Sequence, residues 1–455
     1  MGKQQMHAGI DLSTTTARCI ILDADLNVRA VGRCPHTSIA DKLRQSTDRW
    51  ISSVESAIRV ASGTSGIDLD QIVSIGIATQ GIASALVDEQ GAELRAANSW
   101  LSSGDAPAGI FSTETIESWY SQSGRRITPV TLAGRLLCER TTSESGRWVL
   151  AGDLIAHQLS GEWVIDPCLA ATTGLLDQCI GDWSDPLLKE VGVERTSLSR
   201  ITPSGAAAGY ARGKMSQRLG LSPDVVVASP TQDQRAAVLV ADPLETSVTV
   251  TFGTAVAIVR RARDCRSRLP AQVPLTPGLR SDTWWHEGVV LAVGATFDWC
   301  AELMGVPTES WLDLAADIAV GSSRITCDPW FGGRGSAKWE PGAKGALRGL
   351  QLDATRSEVA RAVVDAVCDE IGRNVALVGA GDDVRIIGRA SLHSVIAQTV
   401  ASILGRPVTR VLADEPTAFG AALLGAQASG HIGSAHAASL TAIRAEVIKP
   451  ERVGK

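Results

Sequence analysis

Asp233 stands between a run of β-branched residues and an apolar helical pattern, where a carboxylate can take part in chemistry. The sequence PDVVVASPTQDQRAAVLVA at 223–241 predicts a strand, a short turn and a helix. As a helix N-cap, the carboxylate would accept a hydrogen bond from the backbone N–H of Arg235 or Ala236, which contributes about 1 kcal/mol. As a general base, it would accept the proton of a hydroxyl that attacks a phosphoryl group. Both roles stay open, because open α/β sheets bind their ligands at the carboxyl ends of their strands.

A group of hydroxyl residues follows the first predicted strand, in the segment GIDLSTTTAR at 9–18. The predicted hairpin turn contains Ser13, Thr14 and Thr15. Backbone N–H groups and hydroxyls gathered in such a turn can bind polyphosphate, and Arg18 would add a positive charge. Asp11, at the end of the strand, is suited to Mg²⁺ through water molecules, because Mg²⁺ gives up its hydration reluctantly. The alternative is a structural hairpin whose own hydroxyls satisfy Asp11.

A second segment of the same kind begins half a chain later. TSVTVTFGTAVAIVRRA at 246–262 again predicts a strand, a small-residue turn and a strand, with Gly253 and Thr254 at the turn. This self-similarity indicates two related α/β domains, which we place at 1–242 and 243–455. Two facing turns would hold the two ends of a nucleotide's phosphates. A doubled structural hairpin explains the repeat equally well, but two such turns together with an aspartate at a strand tip are less expected by chance.

Length and composition limit the classes to which the chain can belong. At 455 residues it is too long for one hydrophobic core, and 44% hydrophobic and 20% charged residues are typical of a globular protein. A net charge of −6 with dispersed basic residues argues against nucleic acid or an anionic membrane as a partner. No secretory pattern and no apolar run of roughly 18 residues is found, so we expect a cytoplasmic protein. The nine cysteines are scattered without a CxxC pair, which predicts reduced thiols.

Periodicity predicts the elements that would position these residues. Helical patterns cover 40–64, 128–161 and 353–378, and a small-residue helix follows at EPTAFGAALLGAQAS. The stretch QIVSIGIAT predicts a buried strand, and SALVDEQGAEL a hairpin. A Gly-, Pro- and Trp-rich loop at 328–350 is expected at the surface or along a cleft.

Six motifs follow one another in a characteristic order. They are GIDLSTTTAR, SIGIATQG, DLIAHQLSGEWVIDPCLAATTGLLD, TQDQRAAV, TFGTA, and IIGRASLHSVIAQTVASILGRPV with EPTAFGAALLGA. In this order, and along nearly the whole chain, they resemble the FGGY family of carbohydrate kinases in the actin-like ATPase superfamily. The resemblance implies an α/β fold of two ribonuclease-H-like domains with an interdomain cleft. It also implies ATP-dependent phosphorylation of a sugar or polyol hydroxyl, with Mg²⁺ as cofactor.

The resemblance also assigns roles to residues. Asp233 takes the place of the general base, and Asp11 that of a residue that helps to position Mg²⁺. The phosphates would lie near Ser13, Thr14, Thr15 and Arg18, with Gly253 and Thr254 at the transferred group. Adenine would lie near Gly388, Arg389 and Ala390. The sugar would contact Thr79, Gln80, Gly81, Trp100 and Asp233.

Two segments depart from the family pattern. In NSWLSSGDAP at 98–107, short hydroxyls at 102–103 replace charges of the family's W-x-D-x-R segment, and Asp105 is a candidate for a displaced substitute. This places the familiar substrates, xylulose and glycerol among them, in doubt, because a site built for hydrogen bonds rejects mismatched partners. Arg389 replaces a usual glycine, and would obstruct adenine, stack on it as a cation–π partner, or point to solvent.

The sequence therefore predicts a kinase that phosphorylates a small sugar, with a ketose (pentulose or hexulose) as the expected substrate. Closure of the two domains on a hinge near Asp242-Pro243 would exclude water. We also expect a homodimer, with no nucleic-acid or membrane partner. Two alternatives stay open: a regulatory relative that binds sugar or nucleotide without turnover, and an actin-like or chaperone-type ATPase.

Overall fold

The computed structural model describes the chain except residues 1–4, 37–42, 101–108, 140–144, 271–272, 341, 380, 382 and 454–455 and the side chain at 442. The helices are α1 Thr47–Ser65, α2 Thr113–Ser123, α3 Leu132–Glu139, α4 Ala151–Ser160, α5 Pro167–Ala170, α6 Asp185–Val191, α7 Lys214–Leu219, α8 Asp233–Ala241, α9 Val293–Met304, α10 Thr308–Leu314, α11 Arg356–Leu377, α12 Ser394–Leu404, α13 Pro416–Ala428 and α14 Ala435–Ala442.

The strands are β1 Met6–Leu12, β2 Thr16–Leu22, β3 Val28–Pro35, β4 Arg44–Gln45, β5 Ile72–Thr79, β6 Ser84–Val87, β7 Glu93–Asn98, β8 Arg147–Leu150, β9 Val164–Ile165, β10 Leu176–Asp177, β11 Asp182–Trp183, β12 Arg200–Ile201, β13 Ala207–Tyr210, β14 Val226–Ala228, β15 Thr231–Gln232, β16 Val248–Phe252, β17 Val256–Ala262, β18 Leu275–Pro277, β19 Trp284–Val290, β20 Thr326–Asp328, β21 Ala346–Arg348, β22 Val384–Ile387, β23 Val408–Leu412 and β24 Arg444–Ile448.

Within the described residues, two seven-stranded sheets share the order of six of their strands. In the first sheet, β3, β2 and β1 form an antiparallel meander, and β5 and β14 continue parallel to β1. In the second, β19, β17 and β16 form the meander, and β22 and β23 continue parallel to β16. The repeat expected from the two hairpins is therefore present in six strands of each sheet, whereas the seventh strands differ: β15 pairs with β5, and β18 pairs with β19.

Two helices pack across the boundary between the halves. Helix α13, which comes late in the chain, lies on β1 and β5 of the first sheet and against α8. The approach is close: a Cβ on Gly9 would lie 2.0 Å from the carbonyl oxygen of Ala418, and one on Gly76 would lie 1.7 Å from that of Ala421. The predicted division at residue 242 thus separates segments that share one apolar core.

Several predicted elements are confirmed, and two helix predictions need correction. Both phosphate-type hairpins form, and α11 lies where the helix at 353–378 is expected. The continuous helix at 128–161 is wrong, because β8 separates α3 from α4 and pairs with β6. The first predicted helix begins at Thr47, and residues 37–42 lie outside the described part.

The expectation of wholly reduced thiols is wrong for one pair of cysteines. Cys179, beside β10, and Cys265, after β17, form a disulfide across the two halves of the chain. They are 86 residues apart in sequence, so no local spacing of cysteines predicts the bond. The other cysteines are free. Of the described helices, none combines the length and apolarity needed to span a bilayer.

Candidate active site

Asp233 is the first residue of α8 and follows β15, which pairs with β5. Its carboxylate accepts a hydrogen bond from the backbone N–H of Gln234 at 2.7 Å, and Gln232 occupies the N-cap position. The capping bond from Arg235 or Ala236 is therefore not formed. Asp233 is partly exposed as a residue, whereas most of the helix behind it is buried. It therefore stands at a strand tip, at the start of a buried helix.

The environment of Asp233 favours its neutral form. The pKa of its carboxyl is raised to about 8, chiefly by burial and then by the negative charges of Asp11 and Glu287, against the opposing effects of the Gln234 N–H and Arg235. A carboxyl poised near working pH is suited to proton transfer. The end of β1 and the start of α8 lie close together, because Thr79 of β5 is in register with Leu12 on one side and with Gln232 on the other.

Asp11, the penultimate residue of β1, lies beside a cation and a second carboxylate. Its Oδ2 pairs with Arg18 Nη1 at 3.0 Å, and Arg18 Nε pairs with Glu415 at 3.1 Å. Burial, chiefly, raises the pKa of Asp11 to about 6; Glu415 adds to the rise and Arg18 opposes it. Its Oδ1 is buried without a hydrogen-bond partner. An unused carboxylate oxygen fits Mg²⁺, which is usually held by one or two carboxylates, water and phosphate.

The first phosphate-type turn presents only some of its hydroxyls. Ser13 and Thr15 are partly exposed, and the Ser13 hydroxyl donates to the carbonyl of Thr16 at 3.0 Å and accepts from Arg18 at 3.1 Å. Thr14 is buried, and its hydroxyl accepts a bond from the Trp100 indole at 2.9 Å. Thr14 therefore connects the turn to the predicted sugar side.

The second turn lies against the start of a helix. Gly253 is exposed, and the Gly294 N–H donates to the carbonyl of Thr254 at 3.2 Å. The positive end of the α9 dipole thus adjoins the turn, which favours phosphate there. On β16, Thr251 donates a short hydrogen bond to the side-chain oxygen of Gln234. This bond connects the turn directly to the helix that carries Asp233.

The predicted adenosine segment adjoins this second turn. Gly388 has a φ of 105°, and a Cβ there would lie 2.2 Å from the carbonyl oxygen of Phe252. Only glycine fits such a position without strain. The Arg389 side chain is 88% exposed and pairs with Glu309 at 2.7 Å, so of the three alternatives it points to solvent. Ala390 packs on the core of the second half.

The predicted sugar residues lie at the end of β5. The Gln80 N–H donates to the carbonyl of Leu12 at 2.9 Å, next to Asp11, and Thr79 is in register with Gln232, next to Asp233. Gly81 is partly exposed and packs on Thr172. Asp105 and residues 102–104 lie outside the described part of the chain.

The structure adds residues that periodicity and motifs did not reveal. Gln45 bonds to Gln80 and to the carbonyl of Thr14. Arg235 forms a buried ion pair with Glu287 at 2.8 Å. Gln45 and Glu287 are distant in sequence from their partners, so no local signal indicates them. Arg235 lies within TQDQRAAV, but its ion pair with Glu287 arises only on folding.

Comparisons with known proteins identify the family of the chain. Residues 6–240 match the N-terminal domain of the FGGY family of carbohydrate kinases, and 248–429 match its C-terminal domain. A glycerol kinase of Thermococcus gammatolerans is 26% identical, over 91% of this chain and 87% of its own length. An L-fuculokinase of Salmonella typhi is 25% identical, over 95% of this chain and 94% of its own length.

Solved structures show the same fold. A ligand-bound xylulose kinase from Lactobacillus acidophilus has a TM-score of 0.86 and 18% identity, over 98% of this chain and 94% of the other. A gluconate kinase from the same organism has a TM-score of 0.83, also at 18% identity, over 98% of this chain and 94% of the other. Both expectations drawn from the motifs, the fold class and the family, are confirmed. The chain belongs to the FGGY family of carbohydrate kinases and is an ATP-dependent carbohydrate kinase, with Mg²⁺ as the accompanying metal.

Proposed function

We propose that this kinase transfers the γ-phosphoryl group of ATP to a hydroxyl of a small ketose, with Asp233 as the general base. The observation that carries the proposal is the position of Asp233. Asp233 is a partly exposed residue at a strand tip, and its carboxyl is within the electrostatic influence of Asp11. Its helix is bonded to the second phosphate-type turn through Gln234 and Thr251. A pentulose or a hexulose is the expected substrate.

In this mechanism, a sugar oxygen bonds to the γ-phosphorus while the bond from that phosphorus to the bridging oxygen of ADP breaks. The hydroxyl proton passes to the Asp233 carboxylate. Such transfers depend mainly on positioning and on neutralising charge. Arg18 and the exposed backbone at Gly253 are suited to the phosphates. Asp11, through its unpartnered Oδ1, would hold Mg²⁺, which when bound neutralises phosphate charge.

The substrate class rests on the relatives and on the sugar side of the site. The names of an L-fuculokinase and of a xylulose kinase indicate ketose phosphorylation by those proteins. Glycerol is the second candidate, because several glycerol kinases match most of this chain. The Thr79–Gly81 segment has polar groups but no charged side chain, which suits a neutral, hydroxyl-rich substrate better than an ionic one.

One of the two reasons for the alternative function, a regulatory relative that binds sugar or nucleotide without turnover, is removed by the structure. Arg389 was a reason to doubt that adenine could bind, and its side chain is exposed and paired with Glu309. The other reason, the altered segment at 102–105, is tested by activity alone.

The test is a screen for ADP release with Mg²⁺, ATP and one of D-xylulose, D-ribulose, L-fuculose, D-fructose, D-gluconate or glycerol. We expect sugar-dependent ADP release with at least one ketose at a kcat/KM at least tenfold above that with glycerol. Asp233→Ala serves as the blank. If glycerol gave the highest kcat/KM, the proposed substrate would be glycerol and not a ketose. A rate of ATP hydrolysis that none of the six compounds changes would support the actin-like or chaperone-type ATPase.

Three further parts of the proposal concern the whole protein. The division at 1–242 and 243–455, a homodimer and a cytoplasmic location are predictions. Light scattering after size-exclusion chromatography tests the dimer, and fractionation of the native cell tests the location. Separate expression of the two segments tests the division; because α13 covers β1 and β5, we expect the first segment alone to be poorly stable.

A further inference from the structure

We infer that Gln45 is a positioning residue that sets which end of the Gln80 amide is available to the sugar. By holding the Gln80 nitrogen, Gln45 leaves the Gln80 oxygen for a hydrogen-bond donor. This point of the site is then selective for a hydroxyl that donates. The inference rests on the proposed function, and it names a specificity device within the same site.

The orientation of the Gln45 amide is fixed by its partners. Its oxygen accepts from the Trp50 indole at 2.9 Å, and its nitrogen donates to the carbonyl of Thr14 at 3.1 Å. An indole N–H can only donate and a backbone carbonyl can only accept. Turning the Gln45 amide over would therefore break both bonds, and its side chain is only 2% exposed, so water cannot replace them.

The fixed Gln45 amide determines the Gln80 amide in turn. The Gln80 nitrogen donates to the Gln45 oxygen at 2.6 Å. The Gln80 oxygen is then directed away from Gln45, and it is buried without a hydrogen-bond partner. A buried acceptor left without a donor is unfavourable, so a ligand that supplies an O–H is favoured over one that supplies only an acceptor.

Gln80 lies at the same end of the sheet as Asp233, where a substrate would make such a contact. Thr79, the residue before it, is in register with Leu12 on one side and with Gln232 on the other. Gln80 therefore follows β5 at the level at which Asp233 follows β15. A hydroxyl that donates to the Gln80 oxygen would belong to a substrate held beside the proposed base.

Gln45 also connects the sugar side to the phosphate side. Its bond to the Thr14 carbonyl supports the first phosphate-type turn, and Trp100 bonds to the hydroxyl of the same threonine. A change at Gln45 that spares the Gln80 contact should therefore affect nucleotide more than sugar. This split distinguishes a positioning role from a merely structural one.

The experiment compares parent compounds with derivatives that lack one donor. The probes are D-xylulose and glycerol, each with derivatives in which one hydroxyl at a time is replaced by hydrogen or by fluorine. Fluorine keeps the size of the group and a weak acceptor but removes the donor. In the wild-type protein, one position should show about a 10- to 100-fold loss of affinity and of kcat/KM for both derivatives alike.

Three variants then test the part played by Gln45. In Gln45→Met, the Gln80 amide is free to turn, so the hydroxyl-to-fluorine ratio should fall to within about threefold. In Gln45→Glu, an oxygen still faces Trp50 and Gln80, so the hydroxyl-to-fluorine ratio should persist. The KM for ATP should rise about tenfold, because the second carboxylate oxygen faces the Thr14 carbonyl. Gln217→Met, at an exposed position of α7, is the control and should change neither quantity.

Each outcome decides the inference. A wild-type protein that accepts fluorine at every position as readily as hydroxyl would overturn it, as would an unchanged ratio in Gln45→Met. If Gln45→Met does not fold, loss of the ratio in Gln45→Glu would overturn it. Binding of none of the six compounds of the screen would contradict the proposed function itself, and this inference with it.

Discussion

The carboxyl of Asp233 is difficult to ionise in the absence of ligands. Burial is the largest cause of its raised pKa, and Asp11 and Glu287 contribute negative charge nearby. The carboxyl can accept a proton only in its ionised form, and a cationic ligand bound nearby would favour that form by lowering its pKa. The property that suits it to proton transfer also weakens the fold, which gives a test independent of any sugar.

Asp233→Asn should therefore change the free energy of unfolding in a pH-dependent way. With a folded-state pKa raised from 3.8 to about 8, the group's contribution to stability is complete below about pH 4 and is lost as pH rises through 8. The variant, which cannot ionise, should gain about 1–2 kcal/mol relative to wild type between pH 5 and pH 9, allowing for the water that reaches a partly exposed group.

Urea unfolding at the two pH values measures this difference. Asp224→Asn, at an exposed position before β14, is the matched control for the change of residue type. A difference between Asp233→Asn and wild type that stays constant with pH would show that Asp233 is not a destabilised carboxyl.

At the scale of elements, the fold depends on how closely α13 approaches the first sheet. The helix carries small residues, and the facing strands offer Gly9 and Gly76, so backbone meets backbone without intervening side chains. Carbonyl groups of the helix lie where a Cβ of either glycine would have to be. The same helix packs on α8, so its position also supports the start of α8 and Asp233.

Gly76→Ala should destabilise the protein by about 1–3 kcal/mol or more, because the new methyl group meets the Ala421 carbonyl and the helix must move away. Gly63→Ala is the matched control: it lies in α1 with open space around the added methyl group, and should be neutral or stabilising by up to about 1 kcal/mol. Urea midpoints measure both. Equal effects of the two substitutions would contradict the role given to the close approach.

The elements also show what a sequence alone can and cannot reveal. Both turns were predictable, because apolar strands and small residues are local signals. The strand β8 was missed, because RWVL lies within a longer apolar pattern that also suits a helix. Gln45 and the start of α9 were missed because their roles arise from contacts made only after folding. The same holds for Cys179 and Cys265.

At the scale of the whole molecule, a disulfide and several hydrogen bonds join the two halves away from α8 and α13. Cys179 bonds to Cys265, Gln178 donates to the carbonyl of Cys265 at 2.9 Å, and Trp284 donates to the carbonyl of Gln178 at 2.9 Å. Tyr120 donates to the carbonyl of Val273 at 2.7 Å. These contacts couple the unfolding of one half to that of the other.

Removal of the disulfide should lower the free energy of unfolding by about 2–4 kcal/mol, because it closes a loop of 86 residues in the unfolded chain. Cys179→Ser should reproduce the effect of a reductant on the wild-type protein and should not respond further to that reductant. Cys138→Ser, at a free and partly exposed cysteine, is the control. A wild-type midpoint that a reductant leaves unchanged would contradict the prediction.

The measurement that bears most directly on the account is the steady-state rate of ADP formation by Asp233→Asn. It should be made at saturating Mg²⁺ and ATP with the best sugar of the screen. We predict a fall in kcat of about 10²–10⁴-fold, while the dissociation constant for ADP stays within about threefold of wild type. A variant that binds ADP normally and turns over at a rate near that of wild type would remove Asp233 from the role of general base.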